Sequence, residues 1–253
     1  MKSKILGFIV FTFLLHTSHL MAQSIRIPDE NFKKRLILLG IDENRNNEIE
    51  KAEAEKVTRL YVDKADIFSL EGIKHFINLE EFGFYYNKIR TIDLSGMKKL
   101  KAVYGFRNEI TDVNLANASS LKTLNFNDNQ ITKINIEGCN HLEEIKISRN
   151  SLPGFDISNL PKLKNVYADR NRISNFVMAK NVDLIYINVS ENDIKNNLDF
   201  SGSPNLEEII IYDNPVQQIN ITGLKKLERL SATNTRLTNL NFAGTENLKD
   251  FQW

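Results

Sequence analysis

The sequence predicts an α/β solenoid, a stack of short coils that forms a parallel concave β-sheet of about ten strands and carries a helical N-terminal cap. Three observations predict it. Leu recurs at 79, 100, 121, 142, 163, 184, 206, 227 and 248, in steps of 21 residues with one step of 22. Two further apolar columns follow each Leu at fixed offsets, and a column of Asn follows those. Ahead of the copies lies a stretch with helix start and stop signals, the terminal cover that a repeat array requires.

The elements follow in chain order. Lys2 and Lys4 precede an apolar run over residues 5–15, and Leu20-Met21-Ala22 places a small residue before Gln23. Residues 1–22 therefore read as a secretory signal peptide. The apolar run is about half of what a bilayer-spanning helix needs, so no membrane span is expected. Loss of Lys2 and Lys4 leaves 31 basic against 32 acidic residues. That balance lacks the basic field on which nucleic-acid binding or attachment to anionic membranes relies. One thiol, Cys139, forbids an intrachain disulfide, and His75 and His141 are too few for a zinc cage.

Residues 23–56 read as a helix-loop-helix cap. Pro28 near the start and Gly40 at the stop frame a short amphipathic helix through Phe32, Leu36, Ile37, Leu38 and Leu39. The next twelve residues, 42–53, match the EF-hand calcium loop at positions 1, 3, 5, 9 and 12. Asp42, Asn44, Asn46, the Glu48 carbonyl, Glu50 through water and bidentate Glu53 would supply the oxygens that Ca2+ requires. Asn47 replaces the usual Gly at position 6 and is the next residue best able to turn left-handed there. A second helix is expected through Ala52, Ala54, Glu55 and Val57. The alternative is a metal-free cap whose apolar face closes the end of the array.

Residues 57–253 carry the copies. Three residues after each Leu comes Phe82, Val103, Leu124, Ile145, Val166, Ile187, Ile209, Leu230 or Phe251, and two later Phe84, Gly105, Phe126, Ile147, Ala168, Val189, Ile211, Ala232 or Trp253. The polar column is Asn87, Asn108, Asn129, Asn150, Asn171, Asn192 and Asn214, broken by Thr235. A short strand must leave the core at each Asn, and a buried amide can both donate to and accept from the turning backbone. The second halves alternate, as in Ile92-Asp93-Leu94 and Phe155-Asp156-Ile157, so a short extended return segment is expected. Gly96, Gly138, Gly202, Gly223 and Gly244 share a column with Asn117 and Asn159, which predicts a left-handed turn. A less regular copy precedes them through Leu60, Val62, Ile67, Leu70, Ile73 and Phe76, and the copy at Leu184 holds one extra residue near Asn196 or Asn197.

The pattern L-x-x-L-x-L-x-x-N resembles that of secreted bacterial leucine-rich repeat proteins, over nearly all of the mature chain. The 21-residue units, with second halves such as Thr91-Ile92-Asp93-Leu94-Ser95, look like those of the Bacteroidetes. The copy at Leu70-Glu71-Gly72-Ile73 looks closer to the internalins. The resemblance implies a non-enzymatic, secreted binding protein, often one of adhesion or host contact, and relatives with an EF-hand or dockerin-like cap.

On this reading the side chains flanking the core columns face a ligand on the concave wall. All seven Tyr fall on such positions: Tyr61, Tyr85, Tyr86, Tyr104, Tyr167, Tyr186 and Tyr212. With Phe106, Arg107, Arg149 and Arg170 they form the candidate site, because Tyr and Arg give rigid contact area with a polar tip. A protein partner is expected, with glycan binding as the alternative. Catalytic residues are not expected: no G-x-S-x-G, H-E-x-x-H or Gly-rich phosphate motif is present, and nothing privileges a carboxylate pair such as Glu144 and Asp169. The strand ending at Trp253 leaves an edge through which a homodimer could form. Cys139 reads as a half-buried packing residue. The exterior, the cell surface and the periplasm all fit the leader.

Overall fold

The computed structural model of the protein describes residues 23–253. The expected signal peptide, residues 1–22, lies outside the described residues.

The cap begins with helix α1, Glu30–Leu38, whose N-cap Asp29 accepts a hydrogen bond from the Phe32 amide at 2.9 Å. Pro28 thus precedes the cap residue and sets the entry of the chain. Phe32 and Leu36 are buried, whereas Leu38 and Leu39, expected on the same apolar face, are exposed. Gly40, at φ +77°, ends the helix. The second helix, α2, is a single turn, Lys51–Ala54, shorter than expected because the chain enters the sheet at Arg59.

The strands of the main sheet are β1 (Arg59–Tyr61), β2 (Glu81–Gly83), β4 (Ala102–Tyr104), β6 (Thr123–Asn125), β8 (Glu144–Lys146), β10 (Asn165–Tyr167), β12 (Tyr186–Asn188), β14 (Glu208–Ile210), β16 (Arg229–Ser231) and β17 (Asp250–Gln252). The return segments supply β3 (Thr91–Asp93), β5 (Asp112–Asn114), β7 (Lys133–Asn135), β9 (Gly154–Asp156), β11 (Asn175–Val177), β13 (Leu198–Asp199) and β15 (Ile219–Asn220). The main sheet is parallel and ten-stranded, in simple coil order. Its register pairs the second apolar column with itself, as in Phe82 with Val103 and Val103 with Leu124. Ile187 pairs with Ile209, so the extra residue of the longer copy falls outside this sheet.

The apolar columns form one continuous core as far as Leu230 and Ala232, whereas Phe251 and Trp253 of the last copy, expected in the same columns, are exposed. Gly105 occupies the third column because the rings of Phe84 and Phe126, from the coils on either side, fill the space its side chain would take. The Asn column forms the ladder the sequence predicts. Asn150 Nδ2 donates to the Phe126 and Ile147 carbonyls at 3.0 Å each, and its Oδ1 accepts from the Ile131 amide at 2.9 Å. Asn171 and Asn192 repeat the arrangement one and two coils later. Thr235 makes only a bond from its hydroxyl to Ala232 O.

The return strands do not form one sheet. They split into β3-β5-β7, β9-β11 and β13-β15. The first break has a covalent cause: the Thr132 amide donates to Thr111 O and the Ser174 amide to Pro153 O, but Pro153 has no N–H with which to continue the row. At the second break Asn196 bonds by its side chain to both the amide and the carbonyl of Phe176. The extra residue therefore interrupts the pairing, and the amide of Asn196 takes over those main-chain contacts.

Two further expectations need correction. Gly96, Asn117, Gly138, Gly223 and Gly244 are left-handed, with φ between +61° and +78°, but Asn159 and Gly202 are not; both follow return strands beside the interruptions. Cys139 is fully buried, not half-buried, and donates through Sγ to Leu115 O at 3.2 Å. Its whole column, from Met97 to Thr245, faces the core.

Candidate interaction surface

In β1, β4, β6, β8, β10, β12 and β14 the middle residue is buried and the flanking residues face solvent at least in part, which fixes where the tyrosines stand. Tyr61, Tyr104, Tyr167 and Tyr186 stand on the strands themselves. The register places Gly83 between Tyr61 and Tyr104, and the Tyr61 ring lies across Gly83, where any side chain would collide with it. Tyr61 donates to Glu81 Oε2 at 3.1 Å; burial and then the Glu81 carboxylate push its phenol upward.

Tyr85, Tyr86, Phe106, Arg107, Arg149, Arg170 and Tyr212 lie just beyond the strands, in the turns that lead to the Asn ladder. The residue before the Asn is left-handed in every coil: Tyr86, Arg107, Asp128, Arg149, Arg170, Glu191 and Asp213, with φ from +53° to +56°. That backbone bend is what lets the following amide turn inward while its predecessor projects into water. The result is a rim of polar and aromatic side chains along one border of the sheet.

On this rim Tyr85 stacks on Phe106 with ring centroids 4.6 Å apart and planes 6° from parallel. Tyr86 meets both rings edge-on at 6.1 and 5.7 Å. The Arg107 guanidinium lies 4.9 Å from the Tyr86 ring centroid and donates to its hydroxyl. Lys64 approaches the same ring at 5.5 Å, a contact that the sequence conceals because it joins two coils. Tyr86 keeps 41% of its surface exposed. A second pair, Tyr167 and Tyr186, packs at 4.7 Å with Lys146 over Tyr167. Burial, followed by the Glu208 charge, pushes the Tyr186 phenol up to about 12. Three strand spacings, about 14 Å, separate the two aromatic groups.

The remaining predicted residues are already engaged. Arg149 pairs with Asp128 at 3.3 Å, and Arg170 with Glu191 at 2.8 Å. Tyr212 donates to the same Glu191 oxygen at 3.2 Å. The structure thus joins Tyr85, Tyr86, Phe106 and Arg107 into one unit, with Tyr61 and Tyr104 on the neighbouring strands. It leaves Tyr167 and Tyr186 as a second unit, and Arg170 with Tyr212 as a third. Glu144 pairs with Lys146 at 3.0 Å, while Asp169 accepts from the Ser148 hydroxyl, so these carboxylates serve the surface network.

One large concavity was not legible in the repeats. A cleft of about 1090 Å³ opens where β7 and β9 fail to pair, floored by Ile134, Ile136 and Phe155 and bordered by Pro153, Gly154 and Asn159. Its origin is the missing N–H of Pro153.

In the cap, the predicted calcium-loop residues come together. Asp42 accepts the amides of Asn46 and Asn47, at 3.1 and 3.0 Å, and Asn44 Oδ1 accepts the Asn46 amide at 3.0 Å. Asn46 Oδ1 accepts the Glu48 amide at 2.8 Å, and Glu53 accepts those of Glu43 and Glu50 at 2.8 and 2.9 Å. Arg45 and Asn47 both take the left-handed backbone. Hydrogen bonding with Glu53 lowers Glu50, and burial raises Glu53. Among the described residues no three Asp, Glu, His or Cys side chains form a metal cage by themselves.

The coils, the ladder and the ten-stranded sheet define a leucine-rich repeat solenoid. A leucine-rich repeat family profile matches residues 120–142. Among solved structures, an internalin C2 from Listeria monocytogenes is similar over 91% of this chain and 97% of its own, at 18% identity and a TM-score of 0.57. The functional domain of InlJ from the same organism is similar over 91% of this chain, at 20% identity and a TM-score of 0.50. This chain spans 61% of that domain. The LRIM1/APL1C complex provides a match over 77% of this chain and 43% of its own, at 20% identity and a TM-score of 0.58. No curated protein sequence matches the chain. Among the described residues no helix is long and apolar enough to cross a membrane.

Proposed function

We propose that the protein is a secreted, non-enzymatic binding protein whose solvent-facing sheet and rim recognise a protein partner, in adhesion or host contact. One observation carries this reading: the half-buried Tyr85–Phe106 stack with the exposed Tyr86 and Arg107 against it, on the border of a ten-stranded sheet. Mutually packed aromatics lose little freedom on binding, and the arginine provides a polar tip, the combination that anchors protein interfaces. The repeat fold itself favours protein interaction, and the leader-like residues 1–22 favour export. Ion-paired carboxylates on the same face favour binding over catalysis.

The test compares the mature chain with a variant in which Tyr85, Tyr104 and Phe106 are replaced by Ser, using the partner recovered by the mature chain. Binding should fall at least tenfold while the circular-dichroism melt shows the array still folded. Retained affinity sinks the proposal, and signal on a glycan array instead of protein capture redirects it to sugars. A second reading is self-association through β17. It is favoured by the exposed Phe242, Phe251 and Trp253, which pack in sequence at 5.1 and 6.2 Å. Sedimentation at several concentrations distinguishes a monomer from such a dimer.

A further inference from the structure

The cap has a polar centre that the binding surface does not use. Asp42, Glu50 and Glu53 are all buried, at 7%, 3% and 7% exposure. No Lys or Arg among the described residues pairs with any of them. The nearby cations are engaged elsewhere: Lys33 with Glu48, Lys56 with Glu43, and Lys51 with Glu55. Glu50 faces into the loop, with Oε1 against the Asn46 amide, while its Oε2 is buried without any hydrogen-bond partner. A carboxylate oxygen removed from water needs a compensating charge or donor; no Lys or Arg pairs with this one, no donor meets it in hydrogen-bonding geometry, and the group that adjoins Glu50 is the Glu53 carboxyl, itself an acid.

We infer that residues 42–53 form a Ca2+ site in which that orphaned Glu50 oxygen, the carboxylates of Asp42 and Glu53, the amide oxygens of Asn44 and Asn46 and the Glu48 carbonyl supply the ligands. This donor set is all oxygen and mixed in charge, which suits a hard cation with six to eight ligands. Three carboxylates against a divalent cation leave one net negative charge, so the buried cluster is nearly neutralised. Because half of the donors are amides or main chain, the carboxylates need not converge as a cage of their own.

The loop is also held in place. EF-hand loops ordinarily pair with a sister loop, and here the preceding segment takes that position. Ser24 bridges antiparallel to Glu50, the Ile25 amide donates to Ile49 O at 2.7 Å, and the Lys51 amide donates to Gln23 O at 3.1 Å. The cap in turn holds the first coil, since Asp29 Oδ2 accepts the Phe68 and Ser69 amides at 2.7 and 2.9 Å. Metal binding would therefore stabilise the end of the solenoid, independently of the aromatic surface.

The test uses the full mature chain after chelator treatment, titrated calorimetrically with CaCl2 alone and with MgCl2 for comparison. One Ca2+ per chain is expected, with a dissociation constant of about 10⁻⁴–10⁻³ M. At 10 mM Ca2+ the melting temperature should rise by about 3–8 °C. Glu50→Gln, which alters an oxygen that no donor in the fold uses, should retain the metal-free melt and weaken binding at least about tenfold; Asp42→Ala should abolish it. No heat of binding and no melting shift up to 20 mM Ca2+ would overturn the inference, as would unchanged affinity in Glu50→Gln.

Discussion

Replacing Asn150 by Ala probes the ladder that joins the coils. The amide's principal bonds are two donated, to Phe126 O and Ile147 O, beside a longer contact to Ser148 O at 3.3 Å, and one accepted from the Ile131 amide. Three hydrogen bonds at about 1 kcal/mol net each give about 3 kcal/mol. Ile131 is fully buried, so its amide finds no water once the acceptor is gone, which adds roughly 1 kcal/mol or more. The expected loss is about 4 kcal/mol, or a fall of about 8–16 °C in melting temperature for a chain of this size. Urea unfolding followed by circular dichroism measures it, with Asn125→Ala as a control, since Asn125 caps only a local turn by accepting the Asn127 amide. Asn150→Asp is equally informative. It keeps the acceptor for Ile131 but points carboxylate oxygens at two carbonyls, so it should cost as much as Ala. A loss below about 1 kcal/mol in both variants, no larger than in the control, would refute the claim that this ladder stabilises the stack.

Three other outcomes are expected. Gly105→Ala drives a methyl into the Phe84 and Phe126 rings and should lower stability by about 1–3 kcal/mol, with a proteolysis site opening in that region if the coils part. Thr235→Asn completes the column: the new amide can reach Ala232 O and the Val216 amide, and should raise the melting temperature by a few degrees; no change would show that the ladder has no use for another rung there. Glu143 accepts from Lys164 at 2.8 Å and pairs with Lys122 at 3.1 Å, bonds that hold its carboxyl below the usual range. Its folded pKa is depressed, so the stabilisation is present at neutral pH and lost as pH falls through the carboxylate range, below about pH 4. Melting temperatures from pH 7 to pH 2.5 should show that fall, and Glu143→Gln should shrink it modestly, because water screens the pair.

The predicted binding surface was legible in part. The alternation of inward and outward residues places Tyr61, Tyr104, Tyr167 and Tyr186 on solvent-facing positions without coordinates, because period two leaves no other face. It does not separate them from Tyr85, Tyr86, Phe106 and Arg107, which lie a few residues further along their copies, on the left-handed turn. Nor does it show Tyr85 lying parallel to Phe106, since residues 21 apart meet only through register. In the cap, spacing grouped the residues of the loop, but the missing partner of Glu50 Oε2 depends on which side chains surround it.

What the chain alone determined is the coil: its length, its core columns, its Asn turn and the ten-stranded sheet, because each follows from a local periodicity that only one burial pattern satisfies. Tertiary structure decided where the coils fail to match. Ile134-Asn135-Ile136 and Phe155-Asp156-Ile157 alternate identically, yet their strands do not pair, because Pro153 between them has no N–H for the row; at Asn196 an extra residue has the same effect. Hydrophobic alternation specifies which side chains face inward, whereas pairing between neighbouring coils depends on each individual amide finding its carbonyl.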